Sequence, residues 1–469
     1  MTDPSAAPST SWREISGLAV PAMASGFVYL AYHWVNQIWV GRMEGQGAAP
    51  IAALSVAMFG TWAFGALSGL SESGLNALVG RYVGGGRPRA ARYIAVHGLR
   101  FAAMFGLLVG LAGIFVAPLL PGLAHVSAEA AAMSTGYLRA FYAAGFAALT
   151  QGACNAVFRG QGDTRTPFLV ALGTLTVNAL LDPLLIFGWG PVPAMGVAGA
   201  GLASAIAVTG GAVASVWRLH RLGHLSARRP DDDELRFHDS TPIERGSVPG
   251  IDLAVVLRIV RIGVPTTLAG LFFIGIYVAL SAVVTEAGGD AALAGLGVGL
   301  RGEQVANFMG AGFAAAAASL VARRLGAGRP DDAQRSAVRA AILASACCGL
   351  WGVLLVVGAD PLAGFFIEKG NLAARAYAAD FYRIVAPCLL FQAWEGVLEG
   401  AFSGAGLTWP PMAVSASLTI IRIPLAKYVA FDLGWGVRGI WLVISVTAAL
   451  RGVFIAVWFS RGTWKHRRI

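Results

Sequence analysis

The chain has 469 residues, of which 56% are hydrophobic and only 13% are charged, and its mean hydropathy is +0.65. Apolar runs of membrane-spanning length recur almost from end to end, which excludes an ordinary soluble protein. The net charge of +10 comes from Lys and Arg concentrated in short connections, without basic-aromatic clusters, so nucleic acid is not an expected partner.

Apolar runs between Gly, Pro and charged residues predict about twelve transmembrane helices. The predicted spans are 15–41, 50–79, 92–120, 128–157, 167–188 and 195–219, followed by 256–285, 291–322, 334–367, 373–402, 411–432 and 436–460. The predicted fold class is therefore an all-α polytopic membrane protein with two six-helix lobes related by pseudo-two-fold symmetry. We predict an N-lobe at 1–219, a polar cytoplasmic linker at 220–255 and a C-lobe at 256–469 that ends in a basic tail.

Two motifs repeat across half the chain. Leu78–Pro88 reads LVGRYVGGGRP and Leu320–Pro330 reads LVARRLGAGRP, with Arg81 and Arg323 separated by 242 residues. A second pair places Gly162 and Gly406 244 residues apart. This duplication predicts two similar lobes that meet at a central cleft, as an alternating-access carrier requires.

Charge and cysteine usage fix further expectations. Basic residues lie in alternate connections and in the tail, which predicts that both termini are cytoplasmic. The N-terminus lacks the basic cluster of a signal peptide, so the first span is expected to be retained. The four cysteines lie in apolar runs, and Walker, HExxH and GxSxG motifs are absent, so we expect no disulfide, zinc site, cofactor or enzymatic activity.

Polar side chains inside the spans are the independent pointers to function, because an ionisable group at bilayer depth is costly unless it faces a cavity or a partner. In span five, Asn178 and Asp182 share a helix face beside Pro183. Their oxygens suit a hard cation such as Na⁺, and the carboxylate could instead carry a proton. The alternative is that Asp182 only bonds neighbouring helices.

Three other N-lobe spans carry polar candidates. His33 in span one could exchange protons, or it could be a buried neutral histidine. Glu72 in span two could supply charge to a cation site, or it could lie at the membrane interface. Gln151 and Asn155 in span four could contact substrate or bond across the lobe as packing contacts.

The C-lobe candidates lie in spans eight and ten. Arg301, Glu303 and Asn307 concentrate in span eight, where an ion pair would reduce the cost of burying charge. We leave open a cavity role and a structural pair. Glu395 in span ten could attract a cationic compound or a proton, whereas Glu399 is expected at the surface.

From FRGQGDTRTP at Phe158 through Ala207, and again in RIGVP at Arg261, GLGVGLRGEQ at Gly295 and GAGLTWPP at Gly404, the chain resembles the multidrug and toxic compound extrusion (MATE) family, especially its DinF-like branch. The resemblance implies an antiporter, expected to be monomeric, in which influx of H⁺ or Na⁺ drives export of amphipathic or cationic organic compounds. It also implies that Asn178 and Asp182 form a cation site and that Ser204 in span six is a further ligand.

The chain departs from the family pattern in span one. The family's membrane-embedded Asp falls on Asn36, which cannot titrate, and this removes one negative charge from the expected site. Glu72 is the carboxylate that we expect could compensate. A lipid-linked precursor flippase of the same superfamily is the alternative function, and basic residues lining a cavity would favour it.

Overall fold

The structure, a computed structural model, describes residues 11–43, 49–123, 126–235, 247–248, 250–367 and 371–466. Its helices, in chain order, are α1 (Trp12–Val40), α2 (Ala49–Gly84), α3 (Pro88–Val116), α4 (Leu119–Leu123), α5 (Ala128–Ala143), α6 (Gly145–Gln161), α7 (Arg165–Phe187), α8 (Gly196–Arg221), α9 (Asp232–Leu235), α10 (Leu253–Gly326), α11 (Pro330–Val357), α12 (Ala359–Phe366), α13 (Leu372–Val385), α14 (Leu389–Gly404), α15 (Trp409–Lys427) and α16 (Gly436–Ser460). Two short strands, β1 (Ser247–Val248) and β2 (Ile251–Asp252), pair antiparallel just before α10.

The helices confirm the predicted all-α class. Nine helices of the described chain are long and apolar enough to cross a membrane. One of them, α10, contains two of the predicted spans, seven and eight. The two spans meet at a kink at Gly289, where φ is 64° and ψ is −162°. Only glycine adopts that backbone conformation without strain.

Predicted spans three, four, nine and ten are each divided between two helices, which the sequence analysis missed. Of these, spans four and ten are broken near their middle. The first break is at Ala144 between α5 and α6, and the second is the 3₁₀ turn Ala386–Cys388 between α13 and α14. Pro387 explains the second, because proline has no N–H to donate to the preceding turn. At the first, Gly145 packs so tightly that a Cβ there would lie 2.8 Å from the Gly106 carbonyl oxygen. The breaks at Ala144 and Ala386 lie 242 residues apart, at corresponding positions of the repeat.

The repeated GGGRP and GAGRP motifs are helix boundaries. Gly86 and Gly328 follow α2 and α10, and each has φ 70°. Pro88 and Pro330 then occupy the first positions of α3 and α11, where the missing N–H costs nothing. Each motif therefore ends one long helix and begins the next.

The described chain divides into two compact units, an N-terminal unit made of residues 24–267 and a C-terminal unit made of 11–23 and 268–466. The divisions fall inside α1 and inside α10, whereas the sequence analysis placed lobe boundaries at 219 and 256. The N-terminal unit has two apolar cores, one around Leu75 and Phe158 and one around Tyr137, and the C-terminal unit has one around Phe381 and Trp441.

The predicted linker at 220–255 is mostly exposed or half-buried in its described part, and its buried residues are Pro230, Leu235, Asp252 and Val255. Residues 236–246 and 249 lie outside the described residues. Leu235 is buried, and the Tyr82 hydroxyl donates to its carbonyl oxygen at 2.7 Å. From the acidic run, Glu234 pairs with Arg89 at 3.7 Å. Both ends of the linker therefore belong to the N-terminal unit.

Candidate functional site

A buried polar cluster lies in the N-terminal unit and joins four helices. Asn36 comes from α1, Tyr137 from α5, Asn178 and Asp182 from α7, and Ser204 from α8. Each of the five is at most 3% exposed. The fold thus brings together all four positions that the resemblance implicates. Three of them carry the expected residues, Asn178, Asp182 and Ser204, and the fourth carries Asn36 in place of the family's Asp.

The hydrogen bonds of this cluster leave oxygen atoms without partners. Asn178 Nδ2 donates to Asp182 Oδ1 at 3.2 Å, and the hydroxyls of Tyr137 and Ser204 lie 3.4 Å apart. Within the described chain, Asp182 Oδ2, Asn178 Oδ1 and both polar atoms of the Asn36 amide have no hydrogen-bond partner. Buried polar atoms in this state are costly, so they mark a place where a cation, a proton or water completes the contacts.

Close helix packing explains how Ser204 reaches its partners. A Cβ on Gly201 would lie 2.5 Å from the Tyr137 carbonyl oxygen, and one on Gly199 would lie 2.3 Å from that of Leu185. These glycines let α8 approach both α5 and α7, and Ser204 lies one turn further along α8. The GVAGAG run at 196–201, before Ser204, is therefore a packing signal.

Two tyrosines of the cluster were missed by the sequence analysis. Tyr137 lies near both Asn36 and Asp182, and Tyr32 on α1 faces Tyr137, Ser204 and Asp182. Tyrosine is common in membrane helices and gives no spacing signal. Asn36 lies four residues after Tyr32, on the same helix face, which is the one pattern that could have indicated Tyr32.

His33 is adjacent to the cluster rather than part of its hydrogen bonding. Its ring packs edge-on against Tyr29 at 4.6 Å and against Tyr32 at 5.6 Å. Nε2 of His33 is buried without a hydrogen-bond partner in the described part of the chain. His33 therefore contacts Tyr32, which itself lies near Asp182.

Glu72 forms an ion pair, although we expected that it could supply charge to the cation site. Arg159 at the end of α6 forms an ion pair with it, with 2.7 Å between Nη2 and Oε2. A carboxylate that is already balanced by an arginine is poorly suited to replace the charge missing at Asn36, so this geometry argues against compensation by Glu72.

The two span-four amides, Gln151 and Asn155, lie on α6. Gln151 faces Gly211 on α8, where a Cβ would lie 2.7 Å from Gln151 Nε2 and 2.5 Å from Thr174 Oγ1. Asn155 has a buried Oδ1 without a partner among the described residues. The position of Gln151 favours the packing interpretation for that residue.

The C-terminal unit contains a second buried polar network. Arg451 on α16 forms an ion pair with Glu395 on α14, with 3.3 Å between Nη1 and Oε1 and both side chains 9% exposed. Ser415 on α15 lies between two carboxylates, 3.2 Å from Glu395 Oε1 and 2.8 Å from Glu399 Oε1. Glu399 is thus part of the network and not a surface residue, so that expectation was wrong.

The span-eight residues do not pair with each other. Glu303 is buried and accepts a hydrogen bond from Gln392 Nε2 at 2.8 Å. Arg301 is exposed, with its guanidinium 5.5 Å from the centroid of the Phe366 ring, and Asn307 is also exposed. Among the described residues no ion pair joins Arg301 to Glu303, so a structural pair within span eight is not formed.

The positive charges of this second network belong to two arginines, Arg422 and Arg451. Arg422 is 1% exposed and donates from Nε to Thr447 Oγ1 at 2.9 Å. Arg451 also donates to Thr419 Oγ1 at 3.2 Å. A further cation would meet two fixed positive charges here. Within the described chain, no group of three or more His, Cys, Asp or Glu residues has the arrangement of a metal site.

An all-helical apolar chain with duplicated halves and buried ionisable clusters defines a polytopic membrane transporter. The sequence pattern of the MatE family matches residues 21–184 and 265–427, and the chain therefore belongs to the MatE family. This confirms the family resemblance and the expectation that the protein is not an enzyme. The closer assignment to the DinF-like branch stays a prediction.

Relatives extend over nearly the whole chain. A probable multidrug resistance protein NorM from Thermotoga maritima is 22% identical, covering 97% of this chain and 94% of the relative. An FAD transporter from Shewanella oneidensis is 23% identical, covering 94% and 92%. The outward-facing structure of a multidrug resistance MATE transporter of the MOP superfamily superposes with a TM-score of 0.83 at 20% identity, covering 96% of each chain. That likeness confirms the predicted two-lobe fold.

Proposed function

We propose that this protein is a secondary active antiporter of the bacterial plasma membrane that exports amphipathic or cationic organic compounds in exchange for H⁺ or Na⁺. The observation that carries the proposal is the fully buried Asp182, whose Oδ2 lacks a partner among the described residues. The name of the Thermotoga maritima relative supports multidrug export as the activity. Alternating access of two six-helix lobes, acting in a monomer with cytoplasmic termini, completes the proposal.

Charge balance explains why Asp182 would take up a cation. An ionised carboxylate at bilayer depth is strongly disfavoured, and a bound proton or Na⁺ removes most of that cost. Because Asn36 is an amide, the cluster contains one carboxylate and is neutralised by one monovalent cation. A cation at Oδ2 would also draw in the unpartnered oxygens of Asn178 and Asn36, and such a change in contacts can bias a helix arrangement.

The network around Ser415 favours protons over Na⁺ as the coupling ion. A hydroxyl has one hydrogen, so Ser415 cannot donate to Glu395 and Glu399 at the same time. Both contacts become favourable when Glu399 carries a proton and donates it to Ser415, which then donates to Glu395. Arg451 beside Glu395 would repel a metal cation but not a proton that is covalently bound to Glu399.

The flippase alternative finds little support. Recognition of a lipid-linked phosphate would call for basic residues facing the binding site. The N-terminal cluster contains one carboxylate and no base, and the buried arginines of the C-terminal unit are accompanied by Glu303, Glu395 and Glu399.

Efflux from proteoliposomes tests the proposal, with ethidium as the probe under separately imposed pH and Na⁺ gradients. We expect Asp182→Asn to abolish gradient-driven transport while leaving the protein folded. Asp290→Asn, which changes an exposed carboxylate beside Gly289, is the matched control and should transport normally. Full coupled transport by Asp182→Asn would reject the assignment, and a rate that follows Na⁺ at constant pH would reject protons.

A further inference from the structure

The helix α15 is the counterpart of α7 in the sequence repeat. The two helices begin 244 residues apart, and each follows a glycine with positive φ. Both run without interruption, so every residue of α7 has a counterpart 244 positions later. Arg422 therefore stands in the C-terminal unit where Asn178 stands in the N-terminal unit, and Ala426 stands where Asp182 stands.

The other members of the N-terminal cluster have buried apolar counterparts. The helices α5 and α13 begin 244 residues apart, Pro21 and Pro265 give the same spacing for α1 and α10, and the starts GVAGAGL of α8 and GVRGIWL of α16 lie 240 residues apart. The counterparts of Asn36, Tyr137 and Ser204 are, in that order, Leu280, Phe381 and Ile444. Of the five counterpart positions, only 422 carries a polar side chain.

The guanidinium of Arg422 is fixed between α15 and α16. The residue is buried, and its Nε donates to Thr447 Oγ1 at 2.9 Å. The Thr447 hydroxyl donates its one hydrogen to the Val443 carbonyl oxygen of its own helix at 2.7 Å. The hydroxyl can therefore only accept from Arg422, and it holds the positive charge at one place.

A buried carboxylate provides the negative charge near this arginine. Glu303 on α10 lies near Arg422, and Gln392 Nε2 donates to its Oε1 at 2.8 Å. The N-terminal counterpart of Glu303 is the uncharged Thr61, by the 242-residue spacing of the LVGRY and LVARR motifs. Because a guanidinium stays protonated in proteins, the C-terminal counterpart always contains its own cation and a nearby anion.

Polar atoms around the guanidinium leave room for small molecules. Nη2 of Arg422, Oε2 of Glu303 and Oε1 of Gln392 are buried without a hydrogen-bond partner among the described residues. Atoms in this state mark places where water completes the contacts. Truncation of Arg422 would therefore leave a polar cavity next to a buried carboxylate, and a free cation of the same shape could fill it.

We propose that Arg422 is a tethered cation, whose guanidinium permanently occupies in the C-terminal unit the place that the coupling cation fills and leaves in the N-terminal unit. The comparison with the coupling cation rests on the proposed function of Asp182. Because the guanidinium cannot leave the chain, the C-terminal counterpart keeps one set of contacts between α15 and α16. Of the two equivalent clusters, only the N-terminal one exchanges a cation with the solution.

Chemical rescue tests this in the full-length protein in nanodiscs, by thermal unfolding with added guanidinium chloride. Arg422→Ala removes the positive charge beside Glu303, so we expect a lower apparent melting temperature than that of the wild type. Free guanidinium should restore at least half of the loss, with half-saturation at about 1–10 mM, as expected for so small a ligand. Sodium chloride and urea at the same concentrations should restore none of it, and the wild type should not respond.

Two further substitutions at this position separate charge from packing. Arg422→Lys keeps a positive charge and should retain most of the wild-type stability. Arg422→Met keeps a long side chain without the charge, so it should be as unstable as Arg422→Ala. Its side chain fills the cavity, and guanidinium should therefore have no effect on it. An Arg422→Met protein as stable as the wild type would assign the position to packing and overturn the proposal.

Controls test the specificity of the rescue. Arg301→Ala removes an exposed arginine of the same unit and should show no response to guanidinium. Glu303→Gln added to Arg422→Ala removes the carboxylate and should weaken the apparent affinity for guanidinium about tenfold. If Arg422→Ala does not yield monodisperse protein, Arg422→Asn introduces the residue of the N-terminal counterpart and leaves space for the same rescue.

Hydrogen exchange of the backbone amides locates the bound ion. In Arg422→Ala, guanidinium at ten times its half-saturating concentration should slow exchange in α15 and α16 about tenfold. Exchange in α7 and α8 should not change. Equal slowing in both pairs of helices would show that guanidinium does not act at the vacated position, which would contradict the proposal.

A melting temperature of Arg422→Ala that guanidinium does not raise would overturn the proposal, as would an equal rise in Arg301→Ala. These measurements need no gradient and no transported compound. If rescue fails while Asp182→Asn loses coupled transport, only the tethered cation is rejected. If Asp182→Asn transports normally, the proposed function is rejected, and with it the comparison of Arg422 with a coupling cation.

Discussion

Arg159 Nη2 lies 2.7 Å from Glu72 Oε2 between α6 and α2, and each side chain is 25% exposed. This ion pair joins a candidate residue of span two to the beginning of the FRGQGDTRTP motif, and the sequence analysis treated these two features separately. It balances a membrane-embedded carboxylate within the N-terminal unit, so Asp182 is left as the buried acid of that unit's polar cluster.

Glu72→Gln should therefore affect stability more than coupling. The substitution removes the ion pair between Glu72 and Arg159, and losing a hydrogen bond between charged groups typically costs about 1–3 kcal/mol. We expect a lower apparent melting temperature in detergent with an unchanged dependence of transport on pH. Glu72→Gln combined with Arg159→Gln should recover part of the loss, and a changed pH dependence of the single variant would instead indicate a role for Glu72 in coupling.

Asn36→Asp should strengthen cation binding at the N-terminal cluster. A second carboxylate near Asp182 adds a negative charge in a buried site, where an additional charge is worth more than in water, and we expect the apparent affinity for the coupling cation to rise about tenfold. The measurement is the transport rate against pH and against Na⁺. Gln37→Asp is the matched control, because Gln37 is exposed on α1. An equal response of both variants would show that the effect is not specific to the cluster.

Arg451→Gln should destabilise the C-terminal unit strongly. Removing one partner of a buried ion pair leaves Glu395 uncompensated, at a cost of about 3–5 kcal/mol. Thermal unfolding in detergent should show a large loss for Arg451→Gln and a much smaller one when Glu395→Gln is added. If the double variant is no more stable than the single one, the pair does not act as a unit.

Gly201→Ala should separate Ser204 from Tyr137. The added Cβ would lie 2.5 Å from the Tyr137 carbonyl oxygen, so α8 has to move away from α5. We expect a stability loss of about 1–3 kcal/mol and reduced coupled transport. Gly210→Ala is the control on the same helix, since a Cβ at Gly210 meets no atom within 4 Å. Similar losses in both variants would point to helix propensity instead of packing.

Glycine and proline within a few residues of a helix end were reliable signals of that helix boundary. The GGGRP and GAGRP motifs gave helix boundaries because a glycine at φ 70° and a proline in the first turn act within a few residues. The break at Ala386–Cys388 had such a signal in Pro387, although the sequence analysis did not use it. The break at Ala144 had no such signal, and the adjacent contact of Gly145 with Gly106 joins two helices that are distant in the chain.

The sequence by itself determined the membrane class and the duplicated architecture and made Asp182 a candidate site residue, since hydropathy, repeated spacing and a charge inside an apolar run are all visible along the chain. Only the tertiary structure decided the partners: Arg159 for Glu72, Gln392 for Glu303, and Tyr137 beside Ser204. These contacts join helices that are distant in the chain, and a side chain at bilayer depth takes whichever partner packing brings within hydrogen-bonding distance.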